Sequence, residues 1–274
     1  MESESLDIDQ GDFSPEPATE PRATGTQAIE RALAALDCFI SAEPELGVTE
    51  VAQALALSPS TVHRILRALV GAGYLDQNRR TNRYYLGRRS LLLGQVAHHN
   101  FAFDLTLPVL ESLAEQTGES VNLGVRDRHG GIVAVRVESR HALRFDQPPG
   151  TRVALHASAM GKALLAWSPD RAREVAELGP LIRLTEHTHV RSSELLADLA
   201  ETHERGYSMD DEESIPGVRC LGAPVLDRLG WARAALALQA PLVRMPDDRI
   251  DELVQPLREA ARRTAELIPP DRRM

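Results

Sequence analysis

From Thr26 onward, Ile29, Leu33, Leu36 and Phe39 or Ile40 recur at three- and four-residue spacing, which predicts an amphipathic helix ending in the Glu45-Leu46-Gly47 segment. Thr49 can cap a second, short helix with Val51, Ala52 and Leu55 as its inner stripe. A tight Leu57-Ser58 connection follows, and Ser58-Pro59 reads as an N-cap with proline at the first helical position, where its missing N–H costs nothing. In this third helix Val62, Ile65, Leu66 and Leu69 share one face, with Ser60, Thr61, His63, Arg64 and Arg67 opposite or at its edges. The periodicity leaves open whether His63 and Arg67 pack or point to solvent. Beyond Gly71 and Gly73, the runs Tyr74-Leu75-Asp76 and Arg83-Tyr84-Tyr85-Leu86 flank a polar turn and predict a β-hairpin.

Ser90 to Ala97 predicts a linker helix, and Leu105 to Gln116 another helix closed by Gly118. The period then changes to two. Val121, Leu123 and Val125 alternate, as do Val133, Val135 and Val137, across an Asp127-Arg128-His129-Gly130-Gly131 turn, so two antiparallel strands are expected. Leu143-Arg144-Phe145 is a candidate third strand before the Pro148-Pro149-Gly150 turn. Helices are expected from Ser158 through Ala166 and from Ser193 through Glu204. Strands are expected over Gly217–Leu226 and Trp231–Gln239, joined by Asp227-Arg228-Leu229-Gly230, and Asp247–Leu267 predicts a long amphipathic closing helix. Strands bracketed by helices in this order fit an α+β sheet covered on at least one face.

A chain of 274 residues accommodates two folded units plus a tail. Its 43% hydrophobic and 26% charged content lets each unit bury a core without disulfides. Cys38 and Cys220 form neither a metal-ligand pattern nor a disulfide framework and fit a reducing compartment. The longest apolar runs are too short for a bilayer, and the acidic N-terminus does not resemble a secretory signal, so the expectation is a cytoplasmic protein without membrane contact. The net charge of −9 argues against nucleic acid until its distribution is considered. Glu2, Glu4, Asp7, Asp9, Asp12, Glu16 and Glu20 crowd a proline-rich stretch, residues 1–23, whose composition predicts a disordered tail. Between Ser58 and Ser90, by contrast, Arg64, Arg67, Arg79, Arg80, Arg83, Arg88 and Arg89 face only Asp76. That local excess is the electrostatic footprint of a DNA-binding module.

Helix-turn-helix and basic hairpin together predict a winged helix-turn-helix over residues 24–88, with double-stranded DNA as partner. Ser58, Ser60 and Thr61 offer short hydroxyl donors at the start of the recognition helix. His63, Arg64 and Arg67 follow for base edges or phosphate, and Arg79, Arg80 and Arg83 of the wing are placed for the backbone. A linker helix at 89–102 and a larger domain at 103–270 complete the expected organisation.

The chain resembles the IclR-type bacterial transcriptional regulators. The resemblance begins at Gly25-Thr26-Gln27-Ala28-Ile29-Glu30-Arg31-Ala32 and continues through Ser60-Thr61-Val62-His63-Arg64-Ile65-Leu66 and Tyr84-Tyr85-Leu86-Gly87. It resumes at Leu155-His156-Ala157-Ser158-Ala159-Met160-Gly161-Lys162-Ala163, at Arg205-Gly206-Tyr207-Ser208-Met209-Asp210-Asp211-Glu212-Glu213 and at Pro216-Gly217-Val218-Arg219-Cys220-Leu221-Gly222. It implies a winged helix-turn-helix, a linker helix and a GAF-like α/β effector-binding domain. It also implies homodimers or homotetramers on pseudo-palindromic operators, and output modulated by a small molecule. By the same resemblance the effector pocket draws on Phe145, Val153, Ala159, Met160, Gly161, Asp210, Cys220, Ala237 and Gln239. The N–H groups of Ala159, Met160 and Gly161 would sit at a helix N-terminus, where donors and dipole favour a carboxylate, so an organic acid, aromatic acids included, is the expected effector. Met160 is bulkier than the family's usual small residue and Ala237 lacks a hydroxyl, which favours a more apolar acid. The alternative is a ligand-free domain that serves only oligomerisation.

An enzyme is the competing class: Cys220 beside Arg219, with His156, could be a nucleophile and base, but a buried inert thiol is the commoner state of such a cysteine. Gly161-Lys162 departs from a phosphate loop because Ala163 replaces the required Ser or Thr, so Lys162 is expected to pair within the domain. The His98-His99 and His187-Thr188-His189 pairs have no ligand spacing around them, and no metal, cofactor or catalytic residue is expected.

Overall fold

The computed structural model describes residues 26–40, 43–127 and 130–269. The expected acidic tail lies outside them, as do Gly25, Arg128 and His129. The chain divides into two units between Gln95 and Val96, inside the expected linker.

In the first unit, α1 (Thr26–Asp37) passes into a short 3₁₀ turn (Cys38–Ile40), followed by α2 (Val48–Ala54) and α3 (Pro59–Ala72). The hairpin strands β1 (Leu75–Gln77) and β2 (Tyr84–Leu86) pair antiparallel, and Leu46 bridges to Tyr84 as a fragment of a third strand. The core is Ala35, Phe39, Val51, Val62, Leu66, Leu69, Leu75 and Tyr84. Three expectations at the start of the chain are corrected. Helix α1 ends at Asp37 and does not persist to Gly47; Pro44 further disfavours helical backbone at the residue before it. Its Ile29 and Leu33 are 62% and 56% exposed, so only the later part of the predicted stripe, Leu36 and Phe39, reaches the core. Gly47, and not Thr49, is the N-cap of α2, and the Glu50 carboxylate at the third helical position accepts the Gly47 N–H. Ser58 caps α3 by accepting the Thr61 N–H, Pro59 begins it, and Gly73 closes it with φ of 80°. Helix α4 (Arg88–Asn100) buries none of its residues.

The second unit is built on a six-stranded antiparallel sheet in the order β5-β4-β3-β8-β7-β6. Its strands are β3 (Ser120–Asp127), β4 (Gly130–Val137), β5 (Arg152–Val153), β6 (Ser208–Asp211), β7 (Val218–Leu226) and β8 (Ala232–Pro241). Helices α5 (Phe103–Thr117) and α9 (Asp247–Leu267) pack with Val121, Leu123, Leu221, Leu236 and Leu238 on one face. Helices α6 (Ala159–Ala166), α7 (Arg171–Glu177) and α8 (Ser192–Arg205) lie on the side of Val133, Ala235 and Ala237. Both faces are therefore covered.

Leu143-Arg144-Phe145 is not a strand; Arg152–Val153 forms the edge instead. Helix α7 and strand β6 were not anticipated. The first buries only Val175, and the inward residues of the second are the polar Ser208 and Asp210, so neither carries an apolar period. In β4 the alternation of Val133, Val135 and Val137 is broken by a bulge: Leu123 opposes Val135, yet Gly124 opposes Val133. The extra residue, Ala134, sends Val133 to the α6 side and leaves Val135 on the α5/α9 side.

Candidate DNA interface and effector pocket

Helix α3 presents Ser60, His63, Arg64 and Arg67 to solvent, which settles the rotation left open above, and Thr61 is half-buried. The Ser58 hydroxyl is engaged locally: it caps the Thr61 N–H at 3.3 Å and lies 2.8 Å from Thr61 Oγ1 and 3.1 Å from Ser60 Oγ. In the wing, the Asn78 side chain accepts the Arg80 and Thr81 N–H groups, while Glu45 accepts from Asn78 Nδ2 at 2.7 Å and Thr81 Oγ1 at 2.8 Å. Arg79 and Arg80 stand out from this frame and are exposed. Arg83 departs from its expected role at the phosphates. Its guanidinium donates to the Glu45 carbonyl at 2.9 and 3.1 Å and to both Glu50 oxygens at 2.8 Å, tying the wing to α2. Sequence reading missed this because its acceptors lie 33 and 38 residues away.

The expected effector residues converge on the α6 side of the sheet. Ala159, Val218 and Cys220 cluster with Phe145 and Ile215; Met160, Ala237 and Val153 adjoin in the neighbouring core. Register places Asp210 and Gln239 on either side of Cys220. The first turn of α6 is pressed onto the sheet: a Cβ on Gly222 would lie 2.6 Å from the Ala159 carbonyl oxygen, and one on Gly161 would lie 2.4 Å from Leu155 Cα. Met160 fills the space that the missing side chain of Gly124 leaves. Gly161 is corrected as an anion donor, because its N–H already bonds Ser158 Oγ at 3.0 Å. Asp210 is buried and accepts from the Glu213 and Ser214 N–H groups at 2.8 and 3.1 Å and from the Ser214 hydroxyl, which shapes the turn beyond β6. Burial pushes its carboxyl up to about 6.

Three residues that sequence reading missed join this face. Asn122 pairs with Arg136 in register, its Nδ2 lies 3.4 Å from both Gln147 Oε1 and Gln239 Oε1, and Arg136 donates to the Gln147 and Phe145 carbonyls. The available signal was a polar residue between two apolar partners in each strand: Asn122 between Val121 and Leu123, Arg136 between Val135 and Val137.

Next to the pocket, Lys162 pairs with Asp198 at 2.9 Å and with Glu213, as expected of a lysine committed within the domain. His189, Asp198 and Glu213 bring ligand atoms within 4.8 Å of one another, a grouping that linear spacing did not reveal, and the Lys162 ammonium is the cation held there. Burial pushes the Cys220 thiol well up, which opposes thiolate chemistry, and His156 Nε2 lies 2.9 Å from the Ile182 carbonyl oxygen. A separate open groove of about 900 Å³ runs past Trp167, His203, Arg233, Arg258 and Arg262; none of the expected effector residues lines it.

The IclR helix-turn-helix domain matches residues 28–79, and the bacterial transcriptional regulator IclR C-terminal domain matches residues 95–266. The chain belongs to the IclR family. It is 37% identical over 241 residues to the HTH-type transcriptional regulator BhcR of Paracoccus denitrificans, covering 87% of this chain and 86% of that protein. It is 33% identical over 242 residues to the transcriptional repressor IclR of Escherichia coli, covering 87% and 88% of the two chains. An IclR homologue from Microbacterium hydrocarbonoxydans, crystallised with 4-hydroxybenzoate, shares the fold at a TM-score of 0.75 and 24% identity, over 88% of this chain and 98% of that one. As an IclR-family member the protein is a transcriptional regulator with a DNA-binding helix-turn-helix and an α+β C-terminal domain. No helix among the described residues is long and apolar enough to cross a membrane.

Proposed function

We propose that this IclR-family regulator binds a pseudo-palindromic operator as a cytoplasmic homo-oligomer and responds to a small organic acid held on the α6 side of its sheet. The observation that carries the DNA reading is the side-chain inventory of α3 and the wing. Arg64, Arg67, Arg79 and Arg80 are exposed and make no side-chain hydrogen bond or ion pair among the described residues, whereas Arg83 is internally engaged. Four uncommitted guanidinium groups on one small module suit phosphate and guanine contacts. In a gel shift on the promoter of its own gene, Arg64→Ala should lower specific affinity by about 1–3 kcal/mol. Arg80→Ala should weaken binding to all sequences and flatten the salt dependence. If both variants bind as the parent does, the surface assignment is wrong.

Self-association rests on exposed apolar helix surface. Leu91, Leu92, Leu93 and Val96 of α4 are 62%, 59%, 57% and 58% exposed, and α1 adds Ile29 and Leu33. So many large side chains in water mark an association surface, and a second copy would cover them.

The effector reading is supported by the convergence of Phe145, Ala159, Cys220, Asp210 and Gln239 on one face, and by a fold neighbour's complex with 4-hydroxybenzoate. Isothermal titration against aromatic and aliphatic acids tests it. The close fit of Met160 over Gly124 favours the ligand-free alternative. A thermal-shift screen separates the two, because a specific ligand raises the melting temperature by mass action.

A further inference from the structure

The side chain of Arg136 is only 3% exposed, yet among the described residues no carboxylate hydrogen-bonds its guanidinium. Its nearest acid, Asp146, is 3.9 Å away and 80% exposed, and Glu138 is taken by Arg144 at 3.0 Å. Two of its nitrogens donate to the Gln147 and Phe145 carbonyls, and its Nε is buried without a partner. The cross-strand neighbour Asn122 leaves its Oδ1 equally buried and unpaired. A guanidinium taken out of water is unfavourable unless an anion and a full set of acceptors meet it, and an orphaned amide oxygen adds to the cost. Neutral carbonyls satisfy some of its N–H groups but do not balance its charge. Both orphans lie on the sheet face that carries Ala237, Gln239 and Cys220, and the hydrogen bonds through Gln147 and Gln239 connect them to it.

We propose that Arg136 is the anion anchor of this pocket, taking the carboxylate of an organic acid against its free Nε–H, with Asn122 Oδ1 accepting a donor from the same ligand. This rests on the effector-pocket reading above and moves the charge recognition from the α6 N-terminus, where Ser158 already caps Gly161, to the β3–β4 pair. With two prongs of its fork held by the loop carbonyls, the guanidinium offers its Nε–H to a carboxylate as a charge-assisted hydrogen bond that a neutral isostere does not match. Arg136 also tethers the Phe145–Gln147 loop, so ligand binding and the order of that loop are coupled through one side chain.

The test uses the full-length protein and calorimetric titration with benzoate, 4-hydroxybenzoate and acetate at up to millimolar levels, each against its primary amide. Wild type is compared with Arg136→Gln, Arg136→Lys and Ala237→Leu. Wild type should prefer acid to amide. Arg136→Gln should lose about tenfold or more in acid affinity and much less in amide affinity, while Ala237→Leu, which adds bulk on the same sheet face, should lose both. Equal weakening of acid and amide in Arg136→Gln overturns the proposal, since a tether alone would act on both. If that variant does not fold, Arg136→Lys replaces the fork by a point charge and should lower the acid-to-amide ratio; an unchanged ratio overturns the anchor. Acid binding that survives Arg136→Gln but not Ala237→Leu refutes the anchor and leaves the pocket standing. Acid binding indifferent to Ala237→Leu refutes the pocket itself. Amide binding without acid binding refutes the anchor alone, and a wild type that takes none of the six refutes anchor and acid-effector reading together.

Discussion

Glu213 joins two properties of the second unit in one side chain: it pairs with Lys162, and its backbone N–H is held by Asp210. Burial pushes its carboxyl from 4.5 to about 7, against the pull of Lys162. Burial likewise pushes Asp210 from 3.8 to about 6. With both values raised on folding, the native state retains protons that the unfolded chain has already released. Their contribution to stability is therefore full below the unfolded values and is lost as pH rises through about 6 and 7. Thermal melts between about pH 5 and pH 8 should show Glu213→Gln with a flatter profile than wild type, by loss of this group's linkage. An unchanged slope would mean that Glu213 is ionised throughout beside Lys162. Arg83 supplies a second residue-scale test. Its substitution by Ala should leave phosphate contacts by Arg79 and Arg80 chemically possible but free the wing from α2. DNA affinity should fall together with hydrogen-exchange protection of residues 78–83, whereas loss of a direct contact alone would leave protection unchanged.

At the scale of elements, the ends of α3 were legible because their chemistry is local, whereas the end of α1 and the cap of α2 were not. Ser58 and Pro59 mark the start of α3, and Gly73, in the left-handed region, marks its end. Replacing Ser58 with Ala should cost about 1 kcal/mol in chemical denaturation and loosen the first turn of α3. Were Ser58 also a direct DNA contact, affinity would fall by more than the stability loss accounts for. Gly87, between β2 and α4, illustrates a constraint of another kind: a Cβ there would lie 2.6 Å from the Gly73 carbonyl oxygen, so the backbone itself must give way. Gly87→Ala should destabilise the first unit by more than Gly71→Ala, whose Cβ meets nothing within 4 Å, and paired melting curves decide it. The bulge in β4, the two-residue edge strand β5 and the polar β6 were not legible, because each is defined by what lies across the sheet and by no period of its own.

For the whole molecule, the exposed leucines of α4 lead to a prediction about assembly. Leu92→Glu with Val96→Glu, one turn apart, places two carboxylates on the proposed association surface. Light scattering should show a smaller particle at equal concentration, and operator affinity should drop much more than affinity for random DNA, because a half-occupied palindrome loses its second set of contacts. An unchanged mass would move the interface elsewhere.

Local pattern by itself determined the helix-turn-helix, the caps of α3, the basic excess of residues 58–90 within an acidic chain, the main hairpins and the closing helix, since each depends on neighbours within a turn or a pleat. Tertiary structure decided everything that depends on distant partners. It turned Ile29 and Leu33 outward and committed Arg83 to Glu45 and Glu50. It also shifted Val133 by one residue of register, and it buried Arg136 beside Asn122 with only the exposed Asp146, 3.9 Å away, as counter-charge. Burial and pairing are properties of the folded surface around a residue. A sequence reports the residue's charge and period, but not which strand will stand opposite it.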